Sequence, residues 1–205
     1  MKLDHIMYAT SDLDTGIEEV KDLTGVVAEF GGAHPGGGTR NALMSFGDEQ
    51  YLEIIAPDPG QETAGTLGEE LLNYHRTGGI RTWAVAVNGF DEVRSVMEEM
   101  GYTHHTIDMT RTRPDGVKLS WQILFVGGHP YENRMPFFID WLASPHPAND
   151  CPPGCRLAEF TVCLLENHLA FRAMMEKLGL DVKVLNGPDA MRAVIDSPAG
   201  RVMLH

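Results

Sequence analysis

Two residues of this chain combine a chemically useful side chain with an unusual setting. Glu53 lies in YLEIIA, where strand alternation puts Tyr51, Glu53 and Ile55 on one face and Leu52 and Ile54 on the other. A carboxylate therefore projects from an otherwise apolar ribbon, and it needs a partner or water there. The N-terminal LDHIMYA offers one: His5 shares a face with Leu3 and Met7, while Ile6 and Tyr8 face the opposite way. If both strands belong to one sheet, His5 and Glu53 converge, and Glu53 is the candidate for moving a proton. The turn AHPGGGTRN stands next to them. Its glycines expose backbone amides, and with Thr39, Arg40 and Asn41 it makes a set suited to a carboxylate or phosphate. No Walker lysine pattern accompanies it, which argues against nucleotide binding. A plain tight hairpin is the alternative. Because the turn leads into the strand beside Glu53, His34, Thr39, Arg40 and Asn41 are expected to line a substrate pocket.

The elements that must hold these groups follow a repeated order. A strand over 3–9 leads into a helix over 11–23 with Leu13, Ile17, Val20 and Leu23 on one face, capped by Ser11 and closed by Gly25. Strands over 26–30, 39–46 and 51–56 complete a βαβββ module spanning 1–57. Residues 58–78 read as a linker carrying a helix over 67–76, with Thr66 and Glu69 in capping-box spacing. The order restarts in 79–147. A strand over 80–87 precedes a helix with Phe90, Val93, Met97 and Met100 on its apolar face, and strands over 102–108, 118–126 and 136–141 follow, the RPDG turn at 113–116 matching HPGGG. A third, shorter round fills 156–205: a strand over 157–164, a helix over 167–178, and short strands over 182–185, 191–195 and 202–204. The fold class expected is α+β, with repeated βαβββ modules curving into a cup-like mixed sheet, helices outside, the whole forming one domain.

Composition limits the partners. The 205 residues are 43% hydrophobic and 22% charged, enough for a sizeable core, and the formal net charge of -13 leaves no basic run for nucleic acid or an anionic membrane. No apolar run approaches a membrane span, so the expected location is the cytoplasm. Cys163 falls in a strand, while Cys151 and Cys155 flank PPG; that loop resembles half a metal clip without a second half. His104 and His105 are adjacent in a strand and point to opposite faces, so they do not chelate one ion together. His75 is accounted for by a helix C-terminus. No GxSxG nucleophile motif occurs.

LDHIMYATSDLD, GGAHPGGGTRN, YLEII, LSWQILF, MPFFIDW and HPA together resemble the glyoxalase-like domain family of the vicinal oxygen chelate superfamily. The resemblance is clear over 3–147 and loose beyond. It implies paired modules around a cup, with metal ligands from the first and last strands of each. His5 and Glu53 match both positions of the first module. In the second, Trp83 aligns with His5, and Asp140 stands near the last-strand position with its register open. Gln122 and Glu159 are candidate substitutes. A divalent metal (Zn, Mg, Mn, Fe or Ni) at His5 and Glu53 is one implied cofactor, and a metal-free polar pocket is the other reading.

Two functions stay open on this basis. One is an enzyme of lyase, isomerase or dioxygenase type acting on a small oxygenated substrate. The other is a protein of the same fold that binds or sequesters a small molecule. Strand parity assigns Tyr51, Trp83 and Gln122 to the pocket with Met7 and Ile55, and Asp140 joins them as a substrate contact. The expected partner is a small molecule, not nucleic acid or membrane, with a homodimer open as the assembly.

Overall fold

The computed structural model describes residues 1–74, 77–112 and 116–205. Its first half runs β1 (Lys2–Ala9), α1 (Leu13–Thr24), β2 (Glu29–His34), β3 (Thr39–Gly47) and β4 (Gln50–Pro57). After α2 (Leu67–Tyr74) the same order returns as β5 (Gly79–Ala86), α3 (Asp91–Glu99), β6 (Thr103–Thr112), β7 (Lys118–Gly127) and β8 (Phe137–Asp140). All eight strands form one sheet in the order β2-β3-β4-β1-β5-β8-β7-β6. The antiparallel β1–β5 pair joins the halves, and the sheet curls into a cup. The curl is deep enough that Arg111 of β6, one edge strand, packs over Gly32 of β2, the other. The expected end of the linker helix at 75–76 and the turn at 113–115 lie outside the described residues.

Local chemistry sets the boundaries. Asp12, not Ser11, caps α1, its carboxylate accepting from the Thr15 amide at 2.8 Å, and Gly25 ends the helix at φ 75. Strand β2 starts later than the expected 26–30 and reaches His34, because Gly31 and Gly32 carry the chain through a bulge after Phe30. A Cβ on Gly31 would meet Asn41 Oδ1 at 2.5 Å, so only glycine lets β2 pass here. His34 is thereby brought out of the turn and onto a strand.

The sheet has two unlike faces. Its outer face packs Ile6, Tyr8, Ala42, Met44, Leu52 and Ile54 against α1 and α3 in the main core. The inner face carries His5, Met7, Tyr51, Glu53 and Ile55. One irregularity in β1 matters for everything that follows. The β1–β5 register shifts between Leu3 and His5, so Asp4 is an inserted residue, Leu3 joins the outer core, and Asp4 turns inward beside His5. The expectation that Leu3 shares the face of His5 is corrected by this bulge. Helix α2 also departs from the outer-helix plan, since Leu67 and Leu71 cover Met7, Ala9 and Ile55 at the inner face.

In the second half, the parity expected for the pocket is inverted. Ala84, not Trp83, pairs with His5, while Trp83 pairs with Ile6 on the outer face. Trp83 is fully buried in the main core, donates to the Arg134 carbonyl at 2.9 Å and packs on Phe160. Strand β7 likewise sends Trp121, Ile123 and Phe125 inward. Gln122 faces outward, bonded to Asp108 at 2.7 Å and paired with Asp140. A one-residue change of register moves an entire set of side chains to the other face.

Residues 156–205 form β9 (Arg156–Leu164), α4 (His168–Lys177), β10 (Lys183–Asn186), β11 (Ala190–Ser197) and β12 (Gly200–Leu204). These strands make a separate sheet ordered β10-β9-β11-β12, with β9 and β10 parallel. The element order repeats that of the two halves, but the pairing does not: in those, the first strand pairs with the last, not with the second. Phe160, Val162, Phe171 and Ile195 extend the main core behind the cup.

Trp83 tests this assignment of faces. Trp83→Phe removes the bond to the Arg134 carbonyl and should cost about 1–3 kcal/mol by urea unfolding. Binding of any cup ligand should stay unchanged.

Candidate functional site

The floor of the cup is organised by a buried anion. Asp4 Oδ1 accepts from His5 Nδ1 at 2.5 Å, and Oδ2 accepts from Trp141 Nε1 at 2.9 Å and His146 Nε2 at 3.0 Å. The His146 tautomer follows from its other contact, since Nδ1 accepts the Ala148 amide and only Nε2 is left to donate. Burial opposes ionisation of Asp4, yet the hydrogen bonds from His146 and His5 outweigh it and hold the carboxyl well below its ordinary range. His5 Nδ1 is thus committed to Asp4, and Nε2 is the atom presented to the cavity. Tyr51 stacks on the His5 ring at 4.6 Å, and Phe137 meets its edge at 5.4 Å. Burial pushes the Tyr51 phenol far above its usual value, with Asp4 and Glu53 adding to the effect.

Glu53 stands opposite. Its Oε2 lies 3.6 Å from His5 Nε2, and its Oε1 lies 3.7 Å from His34 Nε2. Asn41 Nδ2 donates to Oε1 at 2.6 Å. One chain of donors fixes the whole arrangement. The Arg111 guanidinium can only donate, and its Nη1 does so to Asn41 Oδ1 at 3.2 Å. The Asn41 nitrogen therefore faces Glu53 and His34, so His34 Nε2 accepts from it at 3.1 Å. That leaves the His34 proton on Nδ1, bonded to Thr39 Oγ1 at 2.8 Å. Burial lowers the His34 pKa, and Arg111 and His5 lower it further against the pull of Glu53. His34 is held neutral. Among the described residues, Oε2 of Glu53 takes no hydrogen bond.

This cluster occupies one end of a cavity of about 450 Å³. Its walls are mostly apolar: Ile107, Met109, Trp121, Phe125, Ile139 and Trp141 come from the second half, which also brings Arg81, Thr82, His129, Glu132 and Asn133 to the cavity. Size and lining fit a small organic molecule with a few oriented polar groups.

The structure brings His5, His34, Thr39, Asn41, Tyr51 and Glu53 together here. It leaves out four expected residues. Trp83 is in the outer core, and Gln122 is on the outer face. Asp140 accepts from the Gly89 and Leu142 amides, also outside the cup. Arg40 alternates with Thr39 and Asn41, so strand parity turns it to the helix side, near Asp12 and Asp58. The glycine turn is not an anion cradle either. Gly38 accepts the Asp58 amide, and a Cβ on Gly68 would lie 2.1 Å from the Gly38 oxygen, so the turn's glycines serve to dock it on the linker. Glu159 pairs with Lys183 at the surface. Cys151 donates to the Pro147 carbonyl and Cys155 packs on Met44, which gives the CPPGC loop a structural account. Asp4, Arg111 and His146 were missed. Asp4 is hidden by its bulge, and Arg111 was legible only as an inward position of the alternation Ile107, Met109, Arg111.

Residues 3–178 match the family model described as the glyoxalase-like domain. The chain belongs to that family. The match covers both halves of the cup and reaches the end of α4, leaving β10 to β12 beyond it. Among solved structures, a hypothetical protein from Staphylococcus aureus is similar at 17% identity and a TM-score of 0.66, covering 98% of this chain and 84% of that one. The likeness is one of fold, and it includes the C-terminal sheet. A methylmalonyl-CoA epimerase from Mycobacterium tuberculosis is similar at 21% identity and a TM-score of 0.48, covering 72% of this chain and 91% of that one. One from Streptomyces coelicolor is at 20% and 0.49, covering 69% and 97%. No curated protein matches the chain. No helix among the described residues is long and apolar enough to cross a membrane.

The neutral His34 makes stability depend on pH. Its folded pKa lies below the unfolded value near 6.5, so its contribution is complete above that value and is lost as pH falls toward the folded one. Going from pH 7.5 to 5.5 should therefore destabilise the wild type more than His34→Gln, by at most about 1.4 kcal/mol per pH unit. Urea unfolding of both proteins across that range checks it. Asp4 adds nothing in this window, because its depressed pKa moves its loss to strong acid.

Proposed function

We propose that this glyoxalase-like protein is an enzyme of isomerase or lyase type that moves a proton on a small, mostly apolar molecule carrying a carbonyl group. The observation that carries the reading is the pair at the polar end of the cavity. Glu53 Oε2 and His5 Nε2 lie 3.6 Å apart, near enough for both to touch one substrate carbon or its neighbouring oxygen.

The residues define the step. Glu53 Oε2 takes the proton from a carbon next to the carbonyl, and the C–H electron pair moves onto the carbonyl oxygen. Asn41 keeps Glu53 aimed through Oε1 while leaving Oε2 available. His5, backed by Asp4 as an imidazole is by aspartate in a catalytic triad, is the second proton site: its Nε2, without a proton while Nδ1–H bonds Asp4, takes the abstracted proton from Glu53 Oε2 and returns it to carbon or oxygen, so that both groups end as they began. The reaction is neutral overall in protons and involves no redox change. The mostly apolar wall lowers the local dielectric and strengthens each of these contacts.

A resident divalent metal does not fit this donor set. His5 Nε2 and Glu53 Oε2 are two donors, whereas Glu53 Oε1 and His34 Nε2 already receive the Asn41 amide hydrogens. The inward positions of β5 and β8 in the second half are Thr82, Ala84, Phe137 and Ile139, and no group of three or more His, Cys, Asp or Glu among the described residues has a metal-holding arrangement. The proposed chemistry is therefore that of the protein groups alone.

Deuterium uptake at the α-carbon of a panel of 2-hydroxy ketones and 2-oxo acids in D2O, followed by proton NMR, tests the reading. The wild type should exchange at least one compound, and Glu53→Gln should slow it by about 10² to 10⁴. Binding without exchange across the panel would favour the sequestration reading instead. Treatment with EDTA should leave the exchange rate unchanged. A rate lost on chelation and restored by one added divalent ion would overturn the metal-free account.

A further inference from the structure

We infer that Arg111 is the recognition site for a carboxylate on the substrate, so that the cavity takes a small apolar acid. The inference rests on the reading of the cup as a substrate cavity and adds the substrate's class.

Arg111 reaches the cavity from the far edge of the sheet and is 9% exposed. Among the described residues its one hydrogen bond is from Nη1 to Asn41 Oδ1. Its Nε is buried without a hydrogen-bond partner, and among the described residues no carboxylate lies within ion-pair distance of the guanidinium. A buried guanidinium without an anionic partner is costly unless something supplies one. The other cavity arginine, Arg81, differs, since its Nη2 donates to Glu70 Oε2 at 2.9 Å. Glu53 does not serve either, because its Oε1 is taken by Asn41 and Asn41 stands between it and Arg111.

The surroundings are shaped for this side chain. Gly32 has φ +137, and a Cβ there would lie 3.4 Å from Arg111 Cδ and 3.5 Å from Nη1. The guanidinium thus lies across the gap between the two edge strands, its Nε buried against Gly32 and the residue itself at the cavity wall. A planar fork of N–H donors matches the two oxygens of a carboxylate, and the apolar wall suits the rest of the molecule. Phosphate is disfavoured, as a doubly charged group at Arg111 would also meet the nearby carboxylate of Glu53.

Calorimetry with 3-phenylpropanoate and its uncharged amide, 3-phenylpropanamide, tests the inference, with inorganic phosphate as a third probe. The wild type should bind the acid about tenfold or more tightly than the amide, the scale of one charged hydrogen bond. Arg111→Gln should abolish that preference while keeping amide binding, and Arg111→Lys should retain part of it. Amide binding in the glutamine variant also shows that the cup remains folded. Equal affinity for acid and amide in the wild type, or an acid preference that survives Arg111→Gln, overturns the carboxylate site and leaves the cavity reading standing. Phosphate binding as tight as the acid also overturns it. Binding of neither organic probe overturns both this inference and the apolar-substrate reading beneath it.

Discussion

The interaction on which the site depends is the one between Asp4 and its three donors. A fully buried carboxylate is tolerable only when its oxygens are satisfied, and here the partners come from opposite ends of the cup: His5 from the same strand, Trp141 and His146 from the segment after β8. Removing any one of them would leave charge uncompensated in a dry setting. The anion therefore holds the loop over 141–148 against the first strand, where Ala148 packs on Leu43 and Tyr51 and closes the cup floor. It also fixes which nitrogen of His5 meets a ligand. One bulge residue thus couples fold closure to the orientation of the reactive group.

A second constraint comes from the curl of the sheet. Adjacent strands twist relative to one another, and over eight strands the rotation brings the edges round toward each other. Arg111 exploits this by contacting Gly32 and Asn41, residues remote from it in strand order. Its donor-only chemistry then propagates inward, setting the Asn41 amide, the His34 tautomer and the free oxygen of Glu53 in turn. The two halves meet chemically through this chain as well as through the β1–β5 ladder.

The first half was legible in the sequence because its strands alternate. In LDHIMYA and YLEIIA, polar residues interrupt apolar ones at period two, and the convergence of His5 with Glu53 follows from parity. The β5 strand GIRTWAVA carries no such signal around its centre, being apolar on both faces. Aligning Trp83 with His5 was then a choice of register without physical support, and Gln122 and Asp140 inherited the same error. The bulge at Asp4 was unreadable for a different reason: an inserted residue leaves composition untouched and changes only which way one side chain turns. Arg40 was misassigned by treating TRN as one polar turn, whereas the strand already begins at Thr39 and separates Arg40 from its neighbours by face.

The cup is built from two halves of like topology, yet it uses them unequally. The first supplies nearly all the titratable groups of the polar end: Asp4, His5, His34 and Glu53. The second supplies rings and aliphatic chains, with His146 on Asp4 and Arg111 on Asn41 as its polar contributions to that end. A metal centre needs ligands converging from several directions around one point, and a fold of paired modules delivers that when both modules place donors at equivalent positions. Here the inward positions of β5 and β8 are Thr82, Ala84, Phe137 and Ile139, none an imidazole or carboxylate, so the donors converge from one side and face a mostly apolar wall. Such a one-sided arrangement suits proton transfer, in which a base and an acid approach one carbon from the protein side while the opposite wall holds the substrate body and keeps water out. The same asymmetry fits the placing of Arg111 one residue away, on Asn41: paired with Glu53 directly, it would remove the free oxygen on which the proposed chemistry relies.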